Sequence, residues 1–242
     1  MNRTGHLLSR IDAAPALAEL SRREVNYRPD EVRPGPWVFD TWTSSLPGER
    51  PGAPEPGGSW ESACALVEAY EFCDPAVLRA VYAPAAPLLG RDMLLEARFY
   101  GLRFYLGVRV TEVIDEKPGD AARRMWGFAY ETLDGHLERG RISYEVIKDD
   151  DTGQVSFRLQ AYSQRAPTLG LITTLGWQLF GRRTQRRFYR RSGERLAAAT
   201  AARRGRPDVV PARRGAGGLV LAPSDAGHSA AERFAIRWRH PS

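Results

Sequence analysis

Apolar and polar positions alternate along the middle of the chain. Met93, Leu95, Ala97 and Phe99 alternate with Glu96 and Arg98, and Phe104, Leu106, Val108 and Val110 with Tyr105, Gly107, Arg109 and Thr111. A period of two sends each set to one face of a strand. The pattern recurs at Trp126–Tyr130, Ile142–Val146 and Val155–Ala161. An earlier segment, Trp37–Thr43, has it too and is rich in aromatic and β-branched residues. Pro118-Gly119 marks a turn, and Asp149–Gly153 reads as a hairpin turn with Gly153 where positive φ is tolerated. Strands joined this closely pair antiparallel.

Helical spacing appears in three places. Ser59 reads as an N-cap for Trp60, Ala63, Leu66/Val67 and Tyr70. Asp74-Pro75 predicts a second helix carrying Val77/Leu78 and Val81/Tyr82, ended by Pro84 and Pro87. Thr173, Trp177, Phe180, Thr184 and Phe188 predict a long helix from about Thr168 to Ala202, ~50 Å at 1.5 Å per residue. Gly170, Gly176, Gly181 and Gly193 mark where it bends or breaks. Between the first strand and the first helix, Leu46–Gly58 holds four prolines and four glycines and reads as a loop.

One long helix against a bent antiparallel sheet is the helix-grip arrangement, an α+β fold in which the helix supplies the layer that the sheet needs. The boundaries that follow are an N-terminal arm over 1–24, with one short helix at Leu17–Arg23, a helix-grip domain over 25–202, and a mostly disordered Arg/Gly/Pro-rich tail over 203–242. Within that tail Ala231–Arg239 has the spacing of a short strand or helix. Between sheet and helix such folds leave room for ligand pockets of ~300–1,000 Å³.

Composition narrows the setting. At 242 residues and 43% hydrophobic content the chain has enough material for a core without staples. Cys64 and Cys73 have no metal-ligand partners nearby, and Met1–Leu20 lacks the apolar run of a secretory signal, so reduced thiols and a cytoplasmic location are expected. The most apolar window, Thr168–Gly181, is too short for a transmembrane helix. No metal or cofactor is expected, since there is no P-loop, H-E-x-x-H, G-x-S-x-G or S-x-x-K. Asp149-Asp150-Asp151 lacks the ligand spacing of a calcium loop. The net charge of +6 is local: between 181 and 214 twelve arginines face only Glu194 and Asp208, which leaves the remainder net acidic.

The stretch from Val108 to Phe188 carries a longer signature. It runs through Gly127-Phe-Ala-Tyr130-x-Thr132-Leu-x-Gly135-His136-x-Glu138-x-Gly140 and then through Tyr144-Glu-Val-Ile-x-Asp-Asp-Asp-Thr-Gly153. It resembles the domain-of-unknown-function family 1990 over roughly residues 25–200. The family form has Gly before the Thr and Pro on either side of Gly-His, where Glu131, Asp134 and Leu137 stand here. The resemblance implies a START/Bet v 1-like helix-grip fold and, by fold analogy, a cavity that binds a ligand.

Four sets of residues carry candidate chemistry. His136 and Glu138 lie in one loop, where the carboxylate has the spacing to orient the imidazole in an acid/base pair of a cyclase- or hydrolase-like enzyme. The plainer reading is a histidine that pins the loop through its backbone. Trp126, Phe128, Tyr130, Tyr144 and Phe157 either line a cavity for a small, largely apolar molecule or form core. Arg98, Arg109 and Arg158 clamp an anion if they point inward and are solvated if they point outward. Finally, Arg182, Arg183, Arg186, Arg187, Arg190 and Arg191, beside Phe188 and Tyr189, have the density to lie on nucleic-acid phosphates or an anionic membrane, or to form a solvated face.

Overall fold

A computed structural model describes residues 12–99, 102–117, 122–166, 171–203, 213–214 and 218–226, with the side chains of the last helix described from Gln185 onward. Among the described residues nine strands form one antiparallel sheet: β1 (Val38–Ser45), β2 (Leu78–Tyr82), β3 (Asp92–Phe99), β4 (Leu102–Glu116), β5 (Arg123–Thr132), β6 (Glu138–Asp149), β7 (Val155–Arg165), β8 (Arg213–Arg214) and β9 (Val220–Ala222). Their order is β1-β7-β6-β5-β4-β3-β2-β9-β8. Three α-helices join them: α1 (Ala13–Leu20), α2 (Ser59–Glu68) and α3 (Leu171–Arg203). This is the helix-grip α+β fold, with α2 and α3 on the inner face of a curved sheet. A register shift between Val110 and Glu112 marks a bulge where β4 faces β5, a device that bends a sheet. No helix among the described residues is long and apolar enough to cross a membrane.

The core lies between the inner face and the two helices. Tyr70, Phe72, Phe128, Tyr144 and Phe157 are buried there with Leu196 of α3. Gly193 lets α3 come close to the sheet: a Cβ at that position would stand 2.0 Å from the Ser44 hydroxyl of β1. A smaller apolar cluster covers the other face, where Ala13 and Leu20 of α1 meet Val81, Leu94 and Leu221.

Several expectations need correction. The helix expected after Asp74 is a turn followed by a strand. Asp74 does cap, its Oδ1 accepting from the Ala76 N–H at 2.8 Å, but the chain then extends and β2 pairs with β3. Val81 meets the α1 side while Ala80 and Tyr82 meet the core, so β2 is buried on both faces, Arg79 included, and lacks the alternation that marks a half-buried strand. The cap of α2 is also different. Gly58 is the N-cap, and the Glu49 carboxylate, reaching in from the loop, accepts the Trp60 N–H at 2.7 Å. Glu49 is fully enclosed and pairs with the equally enclosed Lys148 at 3.3 Å, so one buried ion pair ties the Pro/Gly loop to β6 and to the helix start.

Both ends contribute more than expected. The N-terminal helix starts earlier than Leu17, and Arg109 secures its last turn by donating to the Leu20 and Arg23 carbonyls at 2.8 and 3.1 Å. At the other end, residues 218–226 form part of the body. β9 extends the sheet beyond β2, Ser224 donates to the Glu71 carboxylate, and Arg195 of α3 pairs with Asp225 at 2.7 Å. Ala231–Arg239 and the Pro118-Gly119 turn lie outside the described residues.

Candidate functional site

Between β5–β7 and α3 lies a cavity of about 140 Å³. Leu95, Ile142, Ala161 and Phe188 give it an apolar wall, while Tyr130 and Tyr144 bring rings and hydroxyls. It is smaller than the range expected, because Phe188 and Tyr189 of α3 project toward the sheet and are themselves buried. The three hydroxyls of Tyr70, Tyr130 and Tyr144 form a chain, 3.2 Å and then 2.8 Å apart. Burial raises the pKa of all three, so they are neutral hydrogen-bonding groups at physiological pH. Tyr70 sits just past the end of α2 at φ 60°, a left-handed position that usually favours glycine. Its ring is fully enclosed, and its hydroxyl bond to Tyr130 holds it there.

The loop from Leu133 to Glu138 closes one end of the cavity. Gly135 takes φ 83° and makes the turn, after which the His136 N–H bonds the Leu133 carbonyl at 3.0 Å. The Nδ1 atom of His136 stands 2.9 Å from the backbone nitrogen of Glu138 and 3.1 Å from its carbonyl oxygen, so it accepts from the first or donates to the second according to its tautomer. Burial lowers the imidazole to about 4, and His136 is therefore uncharged at neutral pH. Gly140 brings β6 close to β7, since a Cβ there would meet the Tyr162 carbonyl at 2.2 Å. The Thr132 hydroxyl accepts the Gly140 N–H at 2.9 Å and donates to Asn26 at 2.6 Å.

Glu138 does not orient His136 through its carboxyl. Its backbone does that, while the carboxyl turns to α3, where Gln185 Nε2 donates to Oε1 at 3.1 Å. Burial, with a smaller contribution from the charge of Asp40, pushes the carboxyl up to about 8. No described group donates to Oε2, and no cation of the described residues forms an ion pair with Glu138.

The remaining candidates separate. Of the aromatic set Tyr130 and Tyr144 line the cavity, whereas Phe128 and Phe157 are buried in the core and Trp126 is packed against it. Arg98 shares the outer face with Glu96, and Glu96 also attracts Arg79 and Arg103, all within 3.9 Å. Arg109 pairs with Asp92 at 2.7 Å and Arg158 with Glu145 at 2.5 Å. On α3, Arg191 is paired with Asp74 and Arg190 with Glu194, while Arg186 and Arg187 are exposed. The side chains of Arg182 and Arg183 lie outside the described residues. Gln185, Phe188 and Tyr189 are among the cavity residues that the sequence reading did not single out as cavity lining. The signal was there, since they fall three and four apart and Gln185 is a neutral residue in an arginine run.

The chain is thus a helix-grip protein with a partly polar cavity closed by the Gly-His-x-Glu loop. It belongs to the family described as "domain of unknown function (DUF1990)", whose model matches residues 23–195. No curated protein matches it in sequence. Among solved structures it is similar to a point mutant of norcoclaurine synthase from Thalictrum flavum, with 4% identity over 69% of this chain and 96% of that one, at a TM-score of 0.39. A hypothetical protein from Helicobacter pylori shares 12% identity over 72% and 95% of the two chains, at 0.41. The major latex-like protein 151 of Panax ginseng shares 10% over 70% and 99%, at 0.37.

Proposed function

We propose that the protein is a binding module for a small organic molecule held between β5–β7 and α3. The observation that carries this reading is the cavity itself: an apolar wall faces a polar pole made of Glu138, His136 and tyrosine hydroxyls. A few convergent polar groups in an otherwise apolar hollow orient a ligand and select it. Size limits the class, because an apolar cavity of about 150 Å³ accommodates a molecule the size of benzene. A single ring or a short branched chain fits the 140 Å³ available.

Native mass spectrometry of gently purified protein, set beside the denatured sample, tests this. We expect an added mass of about 100–200 Da, in keeping with a benzene-sized site, that disappears on denaturation. Ala161→Phe, which adds a ring to the cavity wall, should abolish the added mass while the fold is retained. An identical mass excess in wild type and Ala161→Phe would place the ligand elsewhere and remove the basis of the proposal.

A further inference from the structure

Glu138, half-buried at the cavity, differs from the enclosed carboxylates among the described residues. Glu49 has Lys148, Glu145 has Arg158, Glu96 has three arginines near it, and Glu71 has the Ser224 N–H and hydroxyl on its oxygens. Glu138 has one neutral donor, Gln185, on Oε1, and nothing among the described residues on Oε2. It also borders the cavity, together with the rings of Tyr130, Tyr144, Phe188 and Tyr189. A buried carboxylate is stable only with a compensating charge or hydrogen bonds. Among the described residues no cation meets Glu138, and the rings that line the cavity favour one there.

Arg165, across from Glu138 on β7, is exposed to solvent and is not part of the cavity wall. On β1, Asp40 adds negative potential at Glu138. On β6, Arg141 reaches the cavity wall but is paired with Glu112. The loop presents His136 as a neutral ring, and α3 presents Gln185. An anion brought to this pole would meet the Glu138 carboxyl, whereas an ammonium would be drawn to it.

We propose that the cavity takes a small organic amine, with its ammonium against the Glu138 carboxylate and its hydrocarbon part against the four rings. This rests on the binding-module reading and narrows its ligand. An amine that arrives as ammonium replaces the proton Glu138 holds when the cavity is empty. One N–H···O contact to Oε2 forms, and the carboxyl proton leaves to solvent, so charge in the cavity is conserved.

Three probes of one ring each separate the possibilities on the full chain at pH 7: benzylamine, benzyl alcohol and benzoate, measured by isothermal titration calorimetry. Benzylamine should bind at least tenfold more tightly than benzyl alcohol. Its apparent heat should change with the ionisation enthalpy of the buffer, reporting release of up to one proton. Glu138→Gln should erase the tenfold preference for benzylamine over benzyl alcohol. The buffer comparison uses wild type alone, so it stands even if the variant fails to fold. Benzyl alcohol or benzoate binding as tightly as benzylamine, or benzylamine heats that ignore the buffer, would overturn the amine assignment and leave the binding module intact. No binding by any of the three would remove both.

Discussion

At the scale of single residues, the two titratable groups of the Gly-His-x-Glu loop act on stability in opposite directions. Glu138 keeps its proton in the folded protein up to about 8, against an ordinary value of 4.5. Its contribution is complete below 4.5 and is lost as pH rises through 8, because the unfolded chain gives the proton up first. His136 is held down to about 4 from 6.5, so its contribution is complete above 6.5 and is lost as pH falls through 4. The two slopes oppose one another between 4.5 and 6.5, and only that of Glu138 remains from 6.5 to 8. We therefore expect the wild-type Tm to fall by several degrees between pH 6.5 and 8. In Glu138→Gln, which keeps an oxygen for Gln185, the fall should be absent. Differential scanning calorimetry across that range decides it, and equal slopes in the two proteins would show that Glu138 is ionised already at neutral pH. The motif itself was legible from the sequence, but the partner was not. Spacing placed the carboxyl near the imidazole, and it could not tell the backbone from a side chain as the group that meets Nδ1.

At the scale of elements, α3 depends on a missing side chain. Gly193 looks from the sequence like a weak point in a long helix, where replacement by Ala would add ~1 kcal/mol of helix stability. The fold reverses that sign. A Cβ at 193 would sit 2.0 Å from Ser44 Oγ and 2.7 Å from its Cβ, so α3 would have to move off β1. Gly193→Ala should cost about 1–3 kcal/mol in urea denaturation, the usual range for overpacking. Ser44→Gly in the same chain should recover most of that loss. An unchanged or raised midpoint in the single variant would mean that helix and strand do not make this contact. The same dependence on context explains β2. Its residues read as helix because Val77/Leu78 and Val81/Tyr82 fall at helical spacing after Asp74-Pro75, and only pairing with β3 on one edge and β9 on the other assigns them to the sheet.

At the scale of the whole molecule, the two ends finish the sheet. β9 covers the edge of β2 and places Leu221 in the α1 cluster, and two contacts anchor the segment that follows it: Ser224 to Glu71 and Asp225 to Arg195. A chain ended at residue 203 would leave the β2 edge unpaired and Glu71 without its Ser224 donors. We expect that truncation to lower the Tm by several degrees and to associate in a concentration-dependent way, since an open apolar edge pairs with other strands. Analytical ultracentrifugation beside a thermal melt measures both. A monomeric truncation of wild-type stability would mean that 204–242 is dispensable to the fold.

The sequence by itself determined the fold class, the antiparallel sheet from β3 to β7, the long closing helix and the family, because period-two and period-3.6 patterns and turn residues are local properties of the chain. It also singled out His136, Glu138, Tyr130 and Tyr144. What only the tertiary structure decided is which of its many aromatics and arginines meet in one place. Arg98, Arg109 and Arg158 went to ion pairs, Phe128 and Phe157 to the core, and Gln185 and Phe188 to the cavity. Those assignments depend on which face of a strand looks inward and on contacts between residues more than forty positions apart, such as Gln185 with Glu138. No local pattern encodes that distance, because it is set by how the helix packs across the curved sheet.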